Sequence, residues 1–166
     1  MSRINGILLV FLFAGFGMSC SKTSELVYKY NYLYEELPFE MDYVQGPTIP
    51  DYQRSIVDFG GVGDGQFNNA QVFNKAVSQI SEKGGGTLVV PSGIWLTGPI
   101  VFKSRINLYL EKGALLLFSS NYDDYPLVKA VFEGLETRRC QSPISGTNLT
   151  DIAITGSGTI DGAGFA

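Results

Sequence analysis

The sequence predicts an all-β fold of short stacked strands with a single amphipathic helix laid over the first of them. Three observations carry that reading. Strand-like runs follow one another from residue 87 onward: Thr87–Val90, Ile94–Leu96, Ile100–Phe102, Ile106–Leu110, Ala114–Phe118 and Ile152–Thr155. Turn signals separate them at Pro91-Ser92-Gly93, Gly98-Pro99, Lys112-Gly113 and Gly156-Ser157-Gly158. One segment alone, Asn68 to Lys83, has helical periodicity, with Ala70, Phe73, Ala76, Val77 and Ile80 on one stripe. A regular succession of short runs without long helices suggests stacked coils, although the repeats are too degenerate for composition to separate coils from a sandwich.

The first residues read as an export address. Arg3 precedes an apolar run, Ile7–Phe16, too short to span a bilayer but suited to a signal-peptide core. The run ends in Gly17-Met18-Ser19-Cys20, which resembles a bacterial lipobox, making residues 1–19 a lipoprotein signal peptide and Cys20 the lipidated first residue. Ordinary secretory cleavage nearby is the alternative, and either route exports the body to the cell envelope, the periplasm or beyond. Acylation of Cys20 leaves Cys140 without a disulfide partner, and Cys140 reads as a buried apolar residue.

Residues 20–50 form a tether and an extended segment. Tyr28, Tyr30, Tyr32 and Tyr34 alternate with other residues, the period of a strand bearing its rings on one face. Such a face suits packing against a neighbour, or stacking on a sugar. Pro38, Pro47 and Pro50 exclude regular structure between Leu37 and Asp51.

The body, residues 51–166, opens with Ile56–Gly65, I-V-D-F-G-G-V-G-D-G. Its glycines permit sharp turns and close approach of the chain to the first coil. A phosphate-binding loop is the rival reading, but the run lacks a Gly-Lys-Ser/Thr ending and Asp64 would repel phosphate. Asn68 or Asn69 is placed to cap the helix, and Gly84 to end it. A helix over the first coil would cover strand edges that otherwise invite aggregation.

This opening, followed by Gly84–Ile100 (G-G-G-T-L-V-V-P-S-G-I-W-L-T-G-P-I), resembles glycoside hydrolase family 28, the polygalacturonases. Further resemblance lies in L-P-F-E-M and P-T-I-P upstream, L-E-K-G-A (Leu110–Ala114), D-Y-P (Asp124–Pro126) and the stretch Asn148–Gly162. The resemblance implies a right-handed parallel β-helix, of which this chain holds the first coils. It implies metal-independent, inverting hydrolysis of α-1,4-galacturonosidic bonds in pectin, with no cofactor. It also implies that catalysis uses Asn-x-Asp, Asp-Asp, Gly-His-Gly and Arg-x-Lys segments lying beyond residue 166, so no catalytic residue is expected here. The chain thus reads as a truncated or frameshifted leader, poorly soluble alone. A pectate lyase or uronan epimerase on the same scaffold, or a non-catalytic glycan-binding surface lipoprotein or pseudogene product, are the alternatives.

Composition narrows the chemistry. There is no histidine, which removes histidine-based metal sites and nucleophile–histidine dyads. A net charge of −4 without Lys/Arg clusters gives no footprint for nucleic acid. Asp123-Asp124 imitates an acidic catalytic pair but lies in a turn-rich loop, S-S-N-Y-D-D-Y-P. Asp58, Asp64 and Asp161 sit beside glycine turns, where aspartate bonds backbone N–H groups. Trp95, between Ile94 and Leu96, is expected in the core. Glu133, Arg138 and Arg139 are candidates for lining a galacturonate subsite, because a guanidinium binds a carboxylate bidentately.

Overall fold

The computed structural model describes residues 33–42 and 44–164. The chain separates into two units, Met1–Gln45 and Gly46–Ala166. In the first, Tyr34 lies in a bend rather than a strand, and its hydroxyl accepts a hydrogen bond from the Val44 N–H at 3.1 Å. Tyr28, Tyr30 and Tyr32 lie outside the described residues, as do the signal segment and Cys20. The proline-rich stretch up to residue 52 has no regular element among its described residues.

The second unit is a parallel β-helix. Strand β1 (Gln53–Ser55) leads into a 3-10 turn, Ile56–Phe59, and then into α1 (Ala70–Glu82). Three strands follow as the first coil: β2 (Gly86–Val90), β3 (Gly93–Thr97) and β4 (Ile100–Val101). The second coil comprises β5 (Ile106–Leu110), β6 (Ala114–Phe118) and β9 (Ile144–Ser145), with a hairpin of β7 (Leu127–Phe132) and β8 (Leu135–Cys140) inserted before β9. The third coil holds β10 (Ala153–Gly156) and β11 (Thr159–Asp161).

Each strand pairs in parallel with its counterpart in the next coil. One sheet runs β1-β2-β5-β10, a second β11-β6-β3, and a third β4-β9. Gly86 pairs with Ile106, so a plain coil takes 20 residues. Asn107 pairs with Ala153, 46 residues on, because the second coil carries the inserted hairpin. Between β3 and β4 the first coil turns with Gly98-Pro99 alone, and the insertion occupies the matching corner one coil later.

Alternation sorts each strand into an inner and an outer face. Leu88 stacks on Leu108, Val90 on Leu110, and Trp95 on Leu116, all buried. Phe73, Ala76, Val77 and Ile80 of α1 are buried in the same cluster, so the helix caps the first coil through the predicted stripe. The predicted strand edges agree with the observed ones to within one residue. Strands β1 and β9 and the β7–β8 hairpin lie outside the runs the sequence marks, whereas β10 and β11 both fall in the stretch Asn148–Gly162.

The glycine run has the mechanical purpose its sequence suggests. A Cβ on Gly63 would lie 2.9 Å from the Trp95 ring, and one on Gly61 would lie 2.9 Å from Ile56 Cγ1. The bare backbone therefore lies flat on the buried indole, whose Nε1 donates to the Pro91 carbonyl at 2.8 Å. A side chain at either glycine would push the loop off the core.

Candidate functional site

The carboxylates that sequence inspection singles out are engaged in turns. Asp64 Oδ1 accepts from the N–H groups of Gln66 (2.8 Å) and Phe67 (2.9 Å). Asp161 Oδ1 accepts from Ala163 N–H at 2.9 Å. Asp58 Oδ2 accepts from Arg54 Nε at 2.7 Å and from Ser55 N–H at 3.2 Å. These contacts hold Asp58 and Asp64 below the usual carboxylate range, chiefly through the Arg54 guanidinium in one case and the Phe67 N–H in the other. A general acid for glycoside cleavage needs the opposite shift. Asp58 and Asp64 are therefore structural acceptors.

The Asp123-Asp124 pair sits in a 3-10 turn, Tyr122–Asp124. Asn121 caps that turn by accepting from Asp123 N–H, and Asp124 Oδ2 accepts from Asn68 Nδ2 at 3.1 Å. Asp124 thus ties the loop to Asn68, two residues before α1. Among the described residues no group of three or more metal-binding side chains converges.

A cleft of about 820 Å³ lies at the base of the hairpin. Its walls are the hairpin strands, the turn after β4 (Val101–Ser104), the segment Ser145–Leu149 and Ser81 of α1. Lys103 and Arg139 line it, together with Lys129 on a bordering strand, and no aspartate or glutamate does. Gln141, Ser142, Thr147 and Asn148 add neutral polar groups.

The hairpin explains which of the predicted subsite residues arrive there. Glu133 and Gly134 form its two-residue turn, with φ of 50° and 82°. Positive φ at both positions is the primed turn that matches strand twist. Glu133 is therefore at the tip and does not line the cleft. Val128 pairs with Arg139 and Lys129 with Arg138, so Arg138 and Arg139 belong to opposite faces. Arg138 instead donates to the Leu127 carbonyl at 3.2 Å, and only Arg139 of the predicted trio lines the cleft. Cys140, expected buried, is exposed, because the hairpin projects from the coils and every residue of β8 is exposed.

Sequence reasoning missed Lys103, Asn148 and the hairpin itself. For the hairpin the one signal is the Gly134 turn between two short runs, V-K-A-V-F and L-E-T-R-R-C, that carry no alternation of burial.

The chain as a whole resembles known proteins. The chain is 45% identical over 122 residues to a probable polygalacturonase of Vitis vinifera, an alignment covering 68% of this chain and 25% of that protein. The crystal structure of a hyperthermoactive exopolygalacturonase from Thermotoga maritima superposes with a TM-score of 0.66 at 38% identity. That match covers 72% of this chain and 27% of the other. The chain is homologous to the family 28 polygalacturonases. A family 28 exopolygalacturonase from Yersinia enterocolitica matches equally clearly, with a TM-score of 0.61 and 32% identity over 68% of this chain and 21% of that one. No family model matches the chain. It spans about a quarter of the length of these polygalacturonases.

Proposed function

We propose that this chain supplies the capping helix and first coils of an exported, pectin-degrading glycoside hydrolase. The reaction is hydrolysis of α-1,4-galacturonosidic bonds with inversion, carried by residues in the portion of the polygalacturonases that this chain does not match. The observation that carries the reading is the 45% identity to a polygalacturonase across the β-helix start. The engagement of Asp58, Asp64, Asp124 and Asp161 in local turns agrees with it, since these acids hold loops in place.

Sequencing the locus past codon 166 in all three forward frames tests the proposal. Asn-x-Asp, Asp-Asp and Gly-His-Gly in that order are expected. A reading frame without them would remove the hydrolase assignment. The product encoded by such a frame should release reducing ends from polygalacturonate without calcium. An unsaturated, ultraviolet-absorbing product would assign a lyase instead.

The address segment supports anchoring of the mature chain at the bacterial envelope through lipid on Cys20. Mass spectrometry of the membrane fraction should find a diacylglyceryl-modified Cys20, and Cys20→Ser should release the protein. Among the described residues no helix is long and apolar enough to cross a membrane.

A further inference from the structure

The β7–β8 hairpin pairs with no other strand among the described residues. Leu135 is 72% exposed and Val131 69%, and every residue of β8 is exposed. A lone two-stranded ribbon is marginal in water and gains from further strands or a packed face.

Backbone geometry shows which groups of β8 are open. Gln141 N–H donates to the Pro126 carbonyl at 2.9 Å, and hydrogen-bonded pairs alternate with open pairs along an antiparallel ladder. The inward groups of β8 therefore belong to Leu135, Thr137 and Arg139. The N–H and C=O groups of Glu136, Arg138 and Cys140 point away from β7, toward an edge that another chain can join.

Charge selects the strand that fits. Glu136 and Arg138 are two residues apart, so their side chains share one face. A second copy placed antiparallel about a two-fold axis must set outward groups against outward groups. Axes centred on Glu136, Arg138 or Arg139 place like charges opposite each other, and one centred on Leu135 runs into the Glu133-Gly134 turn. The axis centred on Thr137 instead places Glu136 opposite Arg138 of the second copy, and the pair occurs twice. Opposite charges across a ladder attract where like charges repel. Glu136 forms no ion pair among the described residues, where Arg54–Asp58 is the pair observed. Arg138 donates to the Leu127 carbonyl at 3.2 Å, and a guanidinium has five N–H groups.

The same register brings apolar surface together. Leu135 of the second copy falls opposite Arg139, at the rim of an opening of about 450 Å³ lined by Phe132, Leu135, Glu136, Thr137 and Arg139. The Arg139 guanidinium carbon lies 5.8 Å from the centre of the Phe132 ring, so its aliphatic stem and that ring offer cover to the incoming leucine.

We infer that the outer edge of β8 pairs with β8 of a second copy, antiparallel about a two-fold axis at Thr137, giving a four-stranded sheet. The inference stands apart from the hydrolase reading. Each chain contributes one short strand, so a dissociation constant of roughly tens of micromolar is expected.

Sedimentation velocity of the full chain carrying Cys20→Ser, from about 1 to about 500 μM, should show a monomer–dimer equilibrium. Glu136→Arg and Arg138→Glu should each weaken the dimer at least about tenfold, because each sets like charges across both pairs. An equimolar mixture of the two variants should associate about as tightly as the parent, since every pair between them is again opposite. That rescue also verifies that both variants fold. In a chain with Cys20→Ser and Cys140→Ser, Thr137→Cys should give an intermolecular disulfide on mild oxidation, as residues facing across an open pair lie about 4.5 Å apart at Cα. Val131→Cys, on β7, should not. A monomer at every concentration would overturn the inference. So would association that survives both charge variants, which would place the contact elsewhere, such as at the exposed Ile154 and Ile160 of the last coil. A disulfide through Val131→Cys and none through Thr137→Cys would assign the contact to β7 and overturn it as well.

Discussion

Asn69 joins more of the first coil than any other polar residue described, and replacing it by aspartate tests the account of that region. Its side chain is fully buried. Oδ1 accepts from Val62 N–H at 2.9 Å. Nδ2 donates to the carbonyls of Val62 (2.9 Å), Phe67 (2.9 Å) and Leu96 (3.1 Å). One amide thereby ties both ends of the glycine loop to β3. Asn69→Asp keeps the shape and the Val62 acceptor but sets an oxygen against the three carbonyls that the two amide N–H groups now serve. At about 1 kcal/mol net per N–H lost, the cost is about 2 kcal/mol before any charge is counted.

The carboxylate also faces carbonyl dipoles without solvent, so its pKa in the folded state should rise above that in the unfolded chain. A raised folded value means the smallest penalty below the unfolded pKa, where the neutral acid donates one O–H to a carbonyl. The penalty then grows as pH rises toward the folded pKa. Urea unfolding followed by emission of Trp95, the single tryptophan, reads this directly, because the loop that Asn69 holds lies on the indole. The midpoint difference between Asn69→Asp and the parent should widen from about pH 4 upward. A variant within about 0.5 kcal/mol of the parent at pH 7, or a difference independent of pH, would refute the reasoning.

Four further outcomes follow from the same geometry. Gly63→Ala should cost about 1–3 kcal/mol by overpacking and shift Trp95 emission, since the new methyl meets the ring at 2.9 Å; an unshifted spectrum would count against it. Asp58 and Asp64 have depressed folded pKa values, so the stability they supply is present above the unfolded carboxylate pKa and is lost as pH falls through the folded one; Asp58→Asn should flatten the acid limb of a stability–pH curve. Glu133→Asn should steady the hairpin turn by up to about 1 kcal/mol, as asparagine tolerates positive φ better, and amide exchange across β7 and β8 should slow. In a Cys20→Ser chain, Cys140 should react with a maleimide without denaturant, because it is exposed; labelling that requires unfolding would contradict the hairpin.

Legibility in the sequence follows contrast. The helix was readable because Phe73, Ala76, Val77 and Ile80 face the core while their neighbours face solvent, and β5 and β6 because each alternates buried with less buried positions. The hairpin has no such contrast: β7 and β8 are exposed along almost their whole length, so no period marks them. Its turn was hidden too, since glutamate is an uncommon residue in the left-handed region. Missing the strand made Arg138 and Arg139 look like partners and Cys140 look like core. Asn69 shows a different limit. An asparagine before a helix reads as a cap, and Asn69 does occupy the N-cap position, but its side chain makes no capping bond. Asn68 Oδ1 accepts from Ala70 N–H instead, which frees Asn69 to fasten a loop. Which asparagine does which depends on the loop's path, and that path depends on Trp95.

The two ends of the coil stack differ in how their backbone groups are satisfied. At the start, α1 covers the first coil with a continuous apolar stripe, and β1 extends the longest sheet by one strand. At the other end all three parallel sheets finish on β9, β10 and β11, with Ile152, Ile154 and Ile160 each more than 40% exposed. Ile154 pairs with Leu108 and Ile160 with Leu116, both buried, so these side chains continue interior stacks. Free N–H and C=O groups beside apolar side chains make an edge that accepts another strand. A further coil in register would bury Ile154 and Ile160 as the second coil buries Leu88 and Trp95.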